Sequence, residues 1–141
     1  MKGQLMATIL LIDDYPGIRE FFSEELRDEG YKVVVTAKAG SVMEHLADSH
    51  IDLVLFEPYL GKTERWDILS EIKRNHPHLP VIILTACDIF LTDERAAMAD
   101  DIWIKSLVHL DALKQKIQNT IRHIVGNFRG RDIYDFSYRI P

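Results

Sequence analysis

Apolar residues along this chain fall into short unbroken runs separated by stretches of helical spacing. The runs are Met6 to Ile12, Tyr31 to Val35, Leu53 to Phe56, Val81 to Leu84 and Ile102 to Ile104. Runs of this length, bounded by turn residues and rich in branched side chains, predict strands buried on both faces. Between the first two, Ile18, Phe22 and Leu26 repeat at helical spacing beside Phe21 and Glu25, with Pro16 at the start and Gly30 at the end. Ser41-Val42-Met43-Glu44 fits a capping box that opens a second helix and turns Val42, Met43 and Leu46 inward. A third helix is expected from about Thr63, packed through Ile68, Leu69 and Ile72 and closed by Asn75-His76-Pro77. Phe90 to Ala99 predicts a weaker fourth helix with a poor apolar stripe. Leu110, Leu113, Ile117, Ile121 and Ile124 predict an amphipathic fifth.

Five strands alternating with five helices predict an α/β fold. The expected form is a three-layer, doubly wound parallel sheet with right-handed crossovers and helices on both faces. Gly126 and Gly130 put the end of this domain near residue 125, with a tail over 126–141 and no separate effector domain. In the tail Tyr134, Phe136, Tyr138 and Ile140 alternate with polar residues. Four apolar residues in strand phase are expected to dock, on the same domain or on a second copy of the chain.

Composition narrows the function classes. With 141 residues, 47% hydrophobic and 28% charged, the chain has the make-up of one soluble domain. A net charge of −5 argues against non-specific nucleic-acid binding. The single cysteine, Cys87, excludes an internal disulfide, and no apolar run approaches a membrane span or a signal peptide. A cytoplasmic location is expected.

The candidate chemistry lies where the strands stop. The first run ends on Asp13-Asp14, the third on Glu57, the fourth on Thr85 and the fifth on Lys105. In an open α/β sheet the functional crevice lies beyond the carboxyl ends of the strands, so these side chains converge. Phosphate-binding loops on such sheets use glycines and hydroxyls, and Asp13-Asp14 would repel a phosphate. Two adjacent carboxylates facing a third predict a hard-cation site, for Mg²⁺. The alternative is that Asp13 and Asp14 cap the first helix, which accounts for one acid better than for two. His76 and His78 flank a proline in a turn, and no serine, histidine or cysteine constellation points to covalent hydrolysis.

Four segments in order carry a family resemblance. Ile9-Leu10-Leu11-Ile12-Asp13-Asp14, Asp52-Leu53-Val54-Leu55-Phe56-Glu57, Pro80-Val81-Ile82-Ile83-Leu84-Thr85-Ala86 and Ile102-Trp103-Ile104-Lys105 together resemble a response-regulator receiver domain of two-component signalling. The likeness runs from about residue 7 to residue 125. It implies a flavodoxin-like sheet in the strand order 2-1-3-4-5. It also implies Mg²⁺ held by Asp13, Asp14, the group at position 57 and the backbone carbonyl of Tyr59. Thr85 and Lys105 would meet a phosphoryl group carried at position 57.

The sequence departs from the family at that position, which holds Glu57 in place of aspartate. One extra methylene moves the carboxylate by roughly 1.5 Å, and misplacement on that scale costs about a hundredfold in a geometry-controlled transfer. Ser106 follows Lys105 where a proline is usual, Ile102 stands at the usual switch-aromatic position, and Gly61 and Arg65 replace a proline and a glycine. The segment from Thr85 to Lys105 is slightly short. The expected function is a receiver in phosphorelay signal transduction that is degenerate in phosphoacceptance, non-enzymatic and active through partner binding. The expected partner is a histidine kinase or another signalling protein. A second copy of the chain is a further candidate, through the tail or the fourth and fifth strand–helix face. The alternatives are a working phosphoacceptor in a relay and a small Mg²⁺-dependent phosphatase. The phosphatase lacks the usual second carboxylate two positions after the strand-end acid.

Overall fold

The computed structural model describes residues 7–105 and 109–131. The chain forms two compact units, 1–108 and 109–141. In the first, β1 (Thr8–Ile12), β2 (Lys32–Thr36), β3 (Leu53–Phe56), β6 (Val81–Thr85) and β7 (Asp101–Ile104) build one sheet. Its order is β2-β1-β3-β6-β7 and every pairing is parallel. Since β6 and β7 are the fourth and fifth strands of the sheet, this is the expected 2-1-3-4-5 order. Leu53 to Phe56 lies at its centre with no exposed side chain, as a strand covered on both faces must.

Alternation along the strands divides the core into two layers. Leu10, Ile12, Val54, Phe56, Val81 and Ile83 cluster with Val42 and Leu46 of α2 (Val42–Asp48) and with Ile68, Leu69 and Ile72 of α3 (Trp66–Asn75). Ile9, Leu11, Leu53, Leu55, Ile82 and Leu84 are equally buried in the opposite phase. Helix α1 (Pro16–Asp28) lies against β1 and β2 and buries Phe22 and Leu26. Each of the large apolar side chains that is fully buried contributes about 1.5–3 kcal/mol. Gly30, at φ 100°, ends α1: its N–H donates to Arg27 O and that of Tyr31 to Leu26 O. A side chain there would meet the steric penalty of the left-handed region.

Three details differ from the pattern read in the sequence. The capping box does not form, because Ala39–Ser41 is a 3₁₀ turn and Ser41 already has helical dihedrals with no side-chain cap bond. Helix α3 begins at Trp66, because Tyr59–Leu60 (β4) and Thr63–Glu64 (β5) form an antiparallel hairpin across Gly61-Lys62. Those two residues have φ of 57° and 65°, the double left-handed turn that suits a two-residue hairpin. In place of a fourth α-helix the chain makes two 3₁₀ segments, Asp88–Thr92 and Glu94–Met98. They are split at Asp93, which is extended and accepts the Arg95 N–H on its side chain. Phe90 and Ala96 alone turn inward there, too sparse a stripe to hold an α-helix.

The second unit contains α4 (Leu110–Arg131), with Leu113, Ile117 and Ile121 on one stripe. It continues through Gly126 and Gly130, past the boundary read from those glycines; interior glycine costs only about 1 kcal/mol each. Ser106 and the patterned segment from Ile133 to Ile140 lie outside the described residues.

Candidate functional site

Strand register carries the candidate side chains to one edge. Ile12 pairs with Phe56 and Thr36, Phe56 with Ile83, and Thr85 with Ile104. Asp13, Glu57, Thr85 and Lys105 therefore leave the sheet side by side, within a single crevice. Backbone bonds fix the exits: Asp13 N–H donates to Thr36 O, Glu57 N–H to Ile12 O and Lys105 N–H to Thr85 O.

The centre of the crevice is an ion triad. Lys105 Nζ donates to Asp13 Oδ2 at 2.5 Å and to Glu57 Oε1 at 3.1 Å. The three side chains are only 11%, 2% and 8% exposed, in the order lysine, aspartate, glutamate. Desolvating those charges is unfavourable unless each is paired and hydrogen-bonded, and the remaining oxygens are. Glu57 Oε2 accepts from Thr85 Oγ1 at 2.7 Å and from Tyr59 N–H at 3.0 Å. Asp13 Oδ1 accepts from Tyr15 N–H at 2.9 Å. The Thr85 hydroxyl in turn accepts from Cys87 N–H at 3.1 Å. Asp14 turns away from this triad, and its Oδ2 accepts from Gly61 N–H in the hairpin turn at 2.7 Å. The helix-capping alternative fails, since Tyr15 occupies the N-cap of α1 and no side chain caps it.

The acids have the right chemistry for a hard cation, and in this arrangement their oxygens are taken up by other donors. Mg²⁺ requires about six oxygens at 2.0–2.1 Å. Here the inward oxygens of Asp13 and Glu57 hold an ammonium, Asp14 is bound to an amide, and Tyr59 presents its N–H to Glu57. Among the described residues no three His, Cys, Asp or Glu side chains form a metal-holding group. Lys105 supplies the positive charge that the expected cation would bring.

Two features escaped the sequence reading. One is the hairpin, which brings Tyr59 and Gly61 to the acids. The other is Arg95, which holds Glu64 at 3.0 Å and Asp93 at 2.7 Å and lies 5.0 Å from the centre of the Trp66 ring. The Arg95 guanidinium lowers the Asp93 carboxyl to about 2. Elsewhere, His50 pairs with Asp52 at the other end of β3, and Cys87 packs against the core. Trp103 donates its indole N–H to Asp101, while Ile102 is half-buried against the core.

Comparison with known proteins agrees with the fold. The family model described as response regulator receiver domain matches residues 9–118. The transcriptional regulatory protein GlrR of Escherichia coli (strain K12) is 31% identical over 117 residues, covering 82% of this chain and 26% of its own length. The DNA-binding transcriptional regulator NtrC of Rhizobium meliloti (strain 1021) is 33% identical over 91 residues, 64% of this chain and 19% of that protein. The chain thus spans about a fifth to a quarter of these relatives. Among solved structures, the response regulator protein TrrA from Thermotoga maritima in complex with Mg²⁺-BeF is 29% identical, with a TM-score of 0.75. The alignment covers 82% of this chain and 99% of that one. The same regulator has been solved in complex with histidine kinase ThkA, at a TM-score of 0.74, 29% identity and coverage of 82% and 98%.

Proposed function

We propose that this chain, which belongs to the response regulator receiver domain family of two-component signalling, is a receiver whose acceptor site is held closed by its own lysine. In this reading it signals by binding a partner, without a phosphoryl cycle and without enzymatic turnover. The observation that carries the proposal is the full engagement of Glu57. One oxygen is paired with Lys105 and the other accepts from Thr85 and from the Tyr59 amide. An attacking carboxylate needs a free oxygen in line with the donor, and displacement on the scale of one methylene already costs about a hundredfold.

A divalent cation would enter only by displacing Lys105 from Asp13 and Asp14 from Gly61, so weak binding is proposed. The complex of TrrA with histidine kinase ThkA supports a kinase as the kind of partner, through a receiver of the same fold. A cytoplasmic setting is proposed with it. Among the described residues no helix is long and apolar enough to cross a membrane.

Incubation with a small-molecule phosphoryl donor and Mg²⁺ tests the proposal. The intact mass of the wild-type chain should stay unchanged. A hydroxylamine-sensitive adduct on Glu57 would establish a working phosphoacceptor instead.

A further inference from the structure

The hairpin β4–β5 touches the acidic crevice at one end and the 3₁₀ segments at the other, beside the separate link that Thr85 makes between Glu57 and Cys87. On one strand, Tyr59 N–H donates to Glu57, and at the turn Gly61 N–H donates to Asp14. On the other strand, Glu64 Oε1 accepts from Trp66 Nε1 at 2.9 Å and from Arg95 Nη2 at 3.0 Å. Tyr59 and Glu64 are directly paired across the hairpin. The residue whose amide reads Glu57 is therefore the partner of the residue whose carboxylate holds Arg95.

Arg95 is the hub of the far end. Its guanidinium forks onto Asp93, with Nε to Oδ1 at 2.9 Å and Nη2 to Oδ2 at 2.7 Å, and lies over the Trp66 ring. Trp66 meets Phe90 edge-on at 5.0 Å. Phe90 belongs to the first 3₁₀ segment and Arg95 to the second, so the Trp66–Arg95 stack anchors both. Ile89 and Leu91 on the first segment are 65% and 51% exposed. The segments are held by their 3₁₀ turns, by buried Phe90 and Ala96, and by this anchor.

We propose that the hairpin is a relay: Asp14 and Glu57 seat one end, and Arg95 passes that seating to the surface at residues 88–98. Glu64 and Arg95 are then positioning residues. A change in charge or occupancy at the acidic crevice would release the Gly61 and Tyr59 amides, shift the register of a hairpin only two residues deep, and loosen the Glu64–Arg95–Trp66 contacts. The relay goes beyond the proposed function and holds whether or not Glu57 accepts a phosphoryl group. It rests on the crevice being the input site.

Coupling of this kind is established by cycles, not by proximity. The test uses the 141-residue chain with Trp103→Phe, leaving Trp66 as the sole tryptophan reporter. Asp14→Asn should speed amide exchange across 88–98 several-fold and shift Trp66 emission. In an Arg95→Lys background, which keeps the charge but loses the fork and the planar stack, the crevice change should add nothing further at 88–98. Linkage requires the reverse effect as well: Arg95→Lys alone should speed exchange at the Gly61 and Tyr59 amides. A merely structural Arg95 would loosen 88–98 and leave those two amides unmoved. Additive effects of Asp14→Asn and Arg95→Lys, or unmoved hairpin amides in Arg95→Lys, would overturn the relay. If Asp14→Asn lowers the urea midpoint too far for exchange measurements, the Arg95→Lys readout at the hairpin decides alone.

Discussion

Replacing Lys105 with methionine removes the ammonium from the crevice and keeps an unbranched stem of similar length. In the wild type this one charge serves two carboxylates, Asp13 and Glu57, which are 2% and 8% exposed. Removing one partner of a buried ion pair costs about 3–5 kcal/mol, because the remaining charge stays desolvated and unpaired. A domain of this size has about 5–15 kcal/mol in total, so the loss would bring Lys105→Met close to its unfolding threshold. Urea unfolding with an unchanged slope measures it. The second arm adds MgCl₂ against NaCl of equal ionic strength. If the lysine stands in for a cation, the variant should gain stability from Mg²⁺, about 1.4 kcal/mol at a tenfold excess over Kd. The wild type should gain much less. A loss below about 1 kcal/mol, the range of exposed pairs, would refute a buried triad. Equal Mg²⁺ effects on both chains would refute the substitution of lysine for metal.

Other perturbations probe the surrounding parts. Gly61→Ala should cost about 1–2 kcal/mol in urea unfolding, since φ is 57° and nothing lies within 4 Å of the added carbon. The loss would then be backbone strain alone; an unchanged midpoint would remove the left-handed turn from the account. Thr85→Val keeps the shape of a fully buried residue but deletes its bond to the Glu57 carboxylate, a loss of about 1.5–3 kcal/mol. A neutral result would mean that Glu57 does not depend on this hydroxyl. Asp93 is held at about 2 by Arg95, below its ordinary 3.8. A depressed folded-state value stabilises at neutral pH, and its contribution is lost as pH falls from about 4 through 2. Asp93→Asn should flatten that part of the stability–pH curve, and a curve of unchanged shape would contradict the pairing.

Much of the fold is legible in the sequence because buried parallel strands leave unbroken apolar runs. Leu53 to Phe56 and Val81 to Leu84 mark the sheet centre, and the acids and lysine that end the runs mark the edge that carries the acidic crevice. What the sequence does not show is how those side chains share their bonds. Nothing in the spacing of Asp13 and Asp14 tells that one turns to Lys105 and the other to Gly61. The hairpin strands are two residues each, too short for any period. Gly61-Lys62 between Leu60 and Thr63 was its one local trace, and the turn is recognisable only once two left-handed residues are seen together. Arg95 and Glu64 are far apart in the chain, and single charged residues on 3₁₀ segments repeat with no period. Ala96, Ala97 and Met98 favour helices locally, yet the fourth α-helix does not form, because packing here anchors only Phe90 and Ala96.

In the proposed function the carboxylate at position 57 is locked out of phosphoryl transfer while the groups around it remain in place. Wild type and Glu57→Asp, treated in parallel with a small-molecule phosphoryl donor and Mg²⁺ and read by intact mass and hydroxylamine sensitivity, test it most directly. No adduct is expected on the wild type, and a measurable acyl phosphate is expected on Glu57→Asp, whose shorter side chain withdraws from Lys105 and Thr85. A robust hydroxylamine-sensitive adduct mapped to Glu57 in the wild-type chain would contradict it.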